Sequence, residues 1–392
     1  MKNYNELLAE NRAWAEEVFE LIDRKQRAVT LRSRGKLVDG VGPDGRHKSV
    51  SPIAWTAGFF GGLNVLLWNY TKNEEYLTTA KVCEQMLDKA FDRFETFHHD
   101  VGFMWHILSG ALYRLTGDEK SKTRNLFTAS TLFSRFVPSG GFIRAWNDGK
   151  RKWTDRSVEN WSIIDCLMNL PSLYWASDVI GDDRFKQVAM AHADMALCDH
   201  LRADGSVVHI VEHDRATGEP VDNIFGQGYS DDSSWSRGQA WALYGFTISY
   251  IHTGEERYLD AAKQVANYFI SNCCDDWLPR VDFRAPSEPV YYDTSAGCCA
   301  ACGLIELAKR LPEHEGGMYM HAALNILKAI WNNFADPNPE TDVMIDHASL
   351  RYPTPGVFDG PADAGVHIPI IYTEYYFIEA VLKLLGSDFF PW

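Results

Sequence analysis

The stretch "ALYGFTISYIHTGEERYLDAAKQVANYFI", Ala242 to Ile270, decides how the chain folds. An apolar run ends at Thr253-Gly254, two acids follow, and an aromatic opens a second run that is amphipathic at the helical period. Glycine just past a periodic run is a helix stop, and acids ahead of the next run are a helix start. The stretch predicts two antiparallel helices joined by a Gly-containing turn. The signature recurs as "TKNEEYLTTA" from Thr71, "TGDEKSKTRNLFTA" from Thr116, "IGDDRFKQVA" from Ile180 and, more loosely, "HEGGMYMHAA" from His314. From the second copy onward the spacing is roughly 60 to 70 residues, enough for two helices and their connections. Such hairpins cannot bury their apolar faces alone and must pack on their neighbours. A chain of 392 residues holds six of them, so the predicted architecture is all-α, a closed ring of twelve helices in two concentric layers. No interdomain linker is visible, and residues 1–392 read as a single domain.

Four stretches rich in Gly, Pro and Asp interrupt the helical pattern: Arg34 to Pro52, Ser139 to Asn160, Asp204 to Ser234 and Asn338 to Ile371. They include strand-like pieces such as "SVVHIVEH". One interruption per hairpin places these loops on one face of the ring, where binding and catalysis concentrate. The net charge of −15 argues against a nucleic-acid partner, which needs clustered Lys and Arg. No window is apolar enough for a membrane span, and the amphipathic start is not a leader sequence. The expected compartment is the cytoplasm. The 13 Trp, 17 Tyr and 21 Phe suit a sugar-handling surface and a large helical core alike. The eight cysteines include the cluster "CCAAC", Cys298 to Cys302, without a second pair at zinc spacing. They read as small residues at helix contacts, and no metal or cofactor is expected.

The candidate chemistry begins in "NWSIIDCLMNLPSLYWAS", Asn160 to Ser177, which reads as one apolar helix. Ser162, Asp165, Asn169 and Ser172 form a polar stripe on it at helical spacing. On an inner helix that stripe faces either a neighbouring loop or the central cavity. Asp100, in "FHHDVGFMWHIL", precedes a helix and is either its N-cap or a second carboxylate of the site. His98 and His99 suggest a metal only weakly, because adjacent side chains point apart. In "DDSSWSRGQAWALYGF", Ser234, Arg237, Trp241 and Tyr244 share a helical face. Arg237 there either caps a carbonyl within a core stripe or forks to a carboxylate beside rings that stack on a sugar. Gln227 and His209 lie on the loop feeding this helix, and Trp55 in "AWTAGFFGGL" precedes another with small residues behind it.

The ordered series "AWTAGFFGG", "HHDVGF", "SIIDCLMNLPSLYWA", "SSWSRGQAWALYGF", "DFRAPSEP" with "DTSA" and "CGLIELA", and "YTEYYFIEA" resembles the unsaturated glucuronyl hydrolases, family 88 of the glycoside hydrolases, over nearly the whole chain. The resemblance implies an (α/α)6 barrel, in agreement with the repeat count. It also implies Asp165 as catalytic acid and base, Asp100 as a second essential carboxylate, and Trp55, His209, Gln227, Arg237 and Trp241 as the sugar-binding set. The chain departs from the family pattern at Ala54, Ala57 and Phe60, at Gly226 where a His is usual, and in "MIDHASLRYPTPG", which lacks an expected Tyr-His. The C-terminal "GSDFFPW" is expected near the bound sugar.

The implied substrate is a small oligosaccharide whose terminal uronate carries a 4,5-double bond, the product of a polysaccharide lyase. The implied route is hydration of that enol ether, with one Asp serving as acid and then as base. Protonating Asp165 near neutral pH needs a pKa raised by about two units, roughly 3 kcal/mol. Like-charge proximity is one cause of such a rise, so Asp100 is expected within direct or one-water reach. A monomer or weak dimer is expected. The alternatives are an unsaturated rhamnogalacturonyl hydrolase on the same barrel, an epimerase using paired histidines, and a non-catalytic sugar binder. The "HHDVGF" and "WSRGQAW" motifs favour the glucuronyl family.

Overall fold

The computed structural model describes residues 2–147, 154–273, 275–354, 361 and 363–392. Its helices are α1 (Tyr4–Ser33), α2 (Phe59–Thr71), α3 (Glu74–Leu87), α4 (Val101–Trp105), α5 (Ala111–Thr116), α6 (Glu119–Phe133), α7 (Pro171–Ile180), α8 (Arg184–Met195), α9 (Ser236–Thr253), α10 (Glu256–Asn272), α11 (Thr294–Ala308), α12 (Glu313–Phe334) and α13 (Ile371–Leu384). A π-helical turn, His106–Gly110, fuses α4 and α5 into one rod, so the thirteen segments make twelve helices. They form the (α/α)6 barrel. The inner ring is α2, the α4–α5 rod, α7, α9, α11 and α13; the outer ring is α3, α6, α8, α10, α12 and α1.

Sequence separates the layers. Every residue of α11 and of α13 is buried, as is Ser236–Ser249 of α9, so these helices are packed on all sides. Outer helices bury one stripe, such as Tyr258, Leu259, Ala262, Val265 and Phe269 of α10. The hairpin turns after α2, α5, α7 and α9 place Lys72, Gly117, Gly181 and Gly254 at φ of 57, 72, 68 and 71°. That left-handed region costs glycine nothing and releases the chain into the next helix. The fifth copy differs. His314 to Ala323 lies inside α12, and α11 ends at Lys309 in a right-handed conformation. The sixth hairpin has no turn at all, because α13 pairs with α1 from the other end of the chain.

The loops from outer to inner helices carry β1 (Val38–Val41) with β2 (His47–Ser49), β3 (Phe136–Val137) with β4 (Phe142–Ile143), and an antiparallel sheet of β5 (Trp161–Ile163), β6 (Ile210–His213) and β7 (Pro220–Ile224). The expected helix over Asn160 to Ser177 is therefore corrected. Trp161–Ile163 pairs with β6, Ile164–Met168 forms a tight 3₁₀ turn, and α7 begins only at Pro171. Proline lacks the N–H that an earlier helical turn would need and is suited to a first turn.

The far end of the ring is sealed. Trp392 is buried, stacks on Tyr376 at 5.8 Å and 7°, and donates from Nε1 to Glu379 at 3.0 Å. The tail thus reaches the barrel interior beneath the site instead of entering it: Trp392 meets Phe103 at 6.1 Å, and Phe103 meets Trp55 at 5.6 Å. Cys298, Cys299 and Cys302 are free buried thiols within α11, with the Cys302 Sγ 3.1 Å from the Tyr376 carbonyl, as the helix-contact reading expected. Cys274 lies outside the described residues. Among the described residues no helix is long and apolar enough to cross a membrane.

Beside Trp392, Lys383 donates to Glu306 at 2.5 Å, and both are buried. Burial pushes the Glu306 carboxyl up, but Lys383, Lys309 and Arg310 outweigh it and hold it at about 2, below the usual 4.5. A depressed carboxyl contributes stability above its unfolded value and loses it as pH falls toward the folded one. Glu306→Gln should therefore lower the Tm at neutral pH. Its deficit against the wild type should shrink as the pH drops from 4.5 toward 2, the two values that bracket Glu306. A pH series of thermal scans in which the deficit stays constant would remove Glu306 from the acid response.

Candidate active site

Each inner helix starts at the same end of the barrel, and the expected residues gather there. Trp55 precedes α2, Asp100 sits at the start of α4, Asp165 lies in the turn before α7, and Arg237 and Trp241 lie in the first turns of α9. They line a cavity of ≈260 Å³ together with Gln227 and with His98, His99, Trp146, Ile163 and Trp235. His209 lines a second cavity of ≈230 Å³ that shares Trp146 and Gln227 with the first and adds Gly226, Leu350 and Arg351. Its Nε2 nevertheless reaches Asp165 Oδ2 at 3.4 Å.

The small sheet brings Asp165 and His209 together. Ile163 of β5 faces Ile210 of β6, and the next N–H, of Ile164, donates to the His209 carbonyl at 3.0 Å. The Gln227 N–H donates to His209 Nδ1 at 3.0 Å, and the Phe225 carbonyl lies 3.2 Å from the same nitrogen, so the ring is held with Nε2 facing Asp165. Asp165 Oδ2 is buried and has no other hydrogen-bond partner among the described residues. The polar stripe is not one helical face. Ser162 turns toward His200 and His213, each 2.8 Å away, because it belongs to the strand. Asp165 and Asn169 remain neighbours: Asn169 Nδ2 donates to the Asp165 carbonyl at 3.3 Å and to Asp100 Oδ1 at 3.4 Å.

Asp100 occupies an N-cap position without making a side-chain cap bond. Its carboxylate lies 3.4 Å from His98 Nδ1 and 3.1 Å from His99 Nε2. The expectation that the two histidines point apart is corrected. It holds for extended or helical backbone, but the chain turns at His99–Asp100, and both rings converge on the aspartate. The three side chains bring one ligand atom each within 4.8 Å, a donor set that a metal could share. His99 Nδ1 lies 2.5 Å from the Ala145 carbonyl, and burial pushes its pKa well below the usual value.

Arg237 also departs from its expected geometry. Its guanidinium is 1% exposed and already donates to Asp293 at 2.7 Å, Ser295 at 3.1 Å, the Ser349 carbonyl at 2.6 Å and the Leu350 carbonyl at 2.8 Å. The fork assigned to a substrate carboxylate is thus directed into the protein, where it fixes the loop carrying Leu350 and Arg351 and stacks over Trp235 at 4.4 Å. Tyr244, expected on the same face, lies deeper and donates to Glu379. Trp146, Trp235 and Asp293 escaped the sequence reading. Trp235 stood in a quoted motif, and Trp146 lies in one of the loops marked as functional. Gly226 has φ +58°, and a Cβ there would come within 2.3 Å of His209 Nδ1. The space of the missing side chain is taken by His209.

Residues 32–353 match the family model for Glycosyl Hydrolase Family 88. The chain belongs to this family. It is 32% identical over 376 residues to an unsaturated chondroitin disaccharide hydrolase of Streptococcus pneumoniae, covering 94% of this chain and 92% of the relative. To an unsaturated glucuronyl hydrolase of Bacillus sp. GL1 it is 33% identical over 348 residues, with 87% and 89% covered. The crystal structure of an unsaturated glucuronyl hydrolase from Bacillus sp. GL1, responsible for glycosaminoglycan degradation, superposes with a TM-score of 0.84 at 30% identity, over 93% of this chain and 96% of that one. An unsaturated glucuronyl hydrolase specific for heparin superposes at 0.81 with 28% identity, covering 97% of both. The family 88 chain is a glycoside hydrolase.

Removing one partner of a buried ion pair leaves the other uncompensated, at a cost of about 3–5 kcal/mol. Asp293→Ala should lose stability of that order in urea unfolding, because Asp293 and Arg237 are 0% and 1% exposed. A loss no greater than that of a surface pair would show that the Arg237 anchor is dispensable.

Proposed function

We propose that this glycoside hydrolase removes a 4,5-unsaturated uronic acid from the non-reducing end of lyase-generated oligosaccharides, glycosaminoglycan disaccharides among them. The observation that carries the reading is the pairing of Asp165 and Asp100 on one small cavity, with His209 Nε2 against the first and the rings of Trp55, Trp146 and Trp241 around them. Two carboxyl groups side by side serve no evident structural purpose there, whereas a flat unsaturated ring fits between aromatic walls.

In the reaction, the ring oxygen and the C4–C5 double bond of the substrate form an enol ether. Asp165 gives its proton to C4, and the positive charge develops on C5 and the ring oxygen. Water adds to C5, and Asp165, now a carboxylate, takes the proton this water releases. The resulting hemiketal opens to a 5-keto group and a C1 hemiacetal, which expels the aglycone alcohol. Asp100 and His99 hold the sugar hydroxyls. Trp55 and Trp241 carry the ring face, Gln227 orients the far edge, and Arg237 fixes the wall. The second cavity then takes the aglycone, with Arg351 as its cation. The same reading puts the enzyme in the cytoplasm as a monomer or weak dimer; the seven described cysteines, all free, suit a reducing compartment.

Loss of the conjugated enol-ether absorbance in an unsaturated chondroitin disaccharide reads the reaction directly. Wild type should bleach it, and Asp165→Asn should fall by at least about a thousandfold in kcat, beyond the range of one hydrogen bond. Bleaching by Asp165→Asn at the wild-type rate would end this mechanism, and a preference for a rhamnogalacturonan disaccharide would reassign the substrate. Arg351→Ala should raise the KM for a sulfated disaccharide about tenfold, the worth of one charge-assisted hydrogen bond, and leave that for the unsulfated one nearly unchanged. Equal effects on both substrates would take Arg351 out of aglycone recognition.

A further inference from the structure

We infer that Asn169 is a positioning residue for Asp100: it caps α4 in place of Asp100 and so keeps that carboxylate turned toward the cavity. An aspartate at an N-cap ordinarily accepts a hydrogen bond from the N–H of the second or third helical residue. Asp100 stands at that position on α4 and makes no such bond. The third N–H of the helix, that of Phe103, donates instead to Asn169 Oδ1 at 2.8 Å, from a residue 66 positions along the chain. The donor there fixes the amide's orientation. Oδ1 must face Phe103, so Nδ2 faces the other way. On that side it meets Asp100 Oδ1 at 3.4 Å and the Asp165 carbonyl at 3.3 Å.

One fully buried side chain therefore satisfies the helix, holds one carboxylate and grips the backbone of the other. The helix is shaped to receive it. A Cβ at Gly102 would lie 2.7 Å from Asn169 Oδ1 and 2.8 Å from its Cα, so the first turn of α4 seats against Asn169 only with glycine there. A residue that merely filled the core would need neither the donor nor the acceptor. Without Asn169 the Phe103 N–H is orphaned, and the nearest carboxylate able to satisfy it is that of Asp100, at the cost of its place in the cavity. This inference rests on the reading above in which Asp100 is needed for turnover.

The test is a double-mutant cycle in the full chain, read as bleaching of an unsaturated chondroitin disaccharide, together with a crystal structure of Asn169→Ala. Misplacing a group by about 1 Å costs on the order of 10²-fold in rate. Asn169→Ala should lose that much kcat, yet less than about threefold when Asp100→Asn is already present, because the two act as one unit. The crystal should show the Asp100 carboxylate on the Phe103 N–H. Equal losses in both backgrounds, or an Asp100 that has not moved, would overturn the inference; where the Asp100→Asn background is too slow to read, the crystal decides. Should Asn169→Ala fail to fold, Asn169→Asp keeps the acceptor for Phe103, loses the donor to Asp100 and to the Asp165 carbonyl, and sets a second acid beside Asp100. It should lose at least about tenfold in kcat; wild-type turnover would overturn the inference. Full activity of Asp100→Asn would instead sink the reading of Asp100 itself, and the crystal would still report on the cap.

Discussion

The alternation of inner and outer helices is the constraint from which the rest follows. Each inner helix hands over to an outer one through a tight turn, most often at a left-handed residue such as Gly117, Gly181 or Gly254. Each outer helix must return before the next inner one starts, so all the inner helices run the same way. Their N-termini, with the positive ends of their dipoles, gather at one mouth. The tight turns at the far end leave no room for a site, and the long returns at the near end supply Trp55, Asp100, Asp165 and Arg237 from four different inner helices.

How much of this was legible depended on how local each signal was. The glycine turns were legible because a stop and a start lie within ten residues of each other. The sixth hairpin was not, since α1 and α13 meet only in space. The stretch from Asn160 was read as a helix because its apolar spacing fits one. Its pairing with Ile210 lies well along the chain, and the one local warning was Pro171. Asp100 was legible as an N-cap candidate, but the bond that displaces it from that role comes from Asn169. Arg237 was legible as a fork, but Asp293, which occupies it, is 56 residues on. The motif resemblance supplied the membership of the site; only packing supplied who holds whom.

The departures from the family pattern do not touch the paired acids. Gly226 leaves space that His209 fills. Phe60 packs edge-on to His47 at 5.4 Å, in the buried layer behind Trp55. Ala54 caps nothing with its side chain. At Gly226 the exchange is matched by His209, and the cavity keeps both acids.

The seal formed by Trp392, Tyr376, Glu379 and Lys383 has a consequence for traffic. With packed aromatics and a buried ion cluster behind it, the cavity is closed toward the far end of the barrel. Under the proposed function a polymer cannot thread through that end, and a saccharide goes in end first. The outer fragment then leaves before the inner one, and the enzyme is ready again only when both have gone.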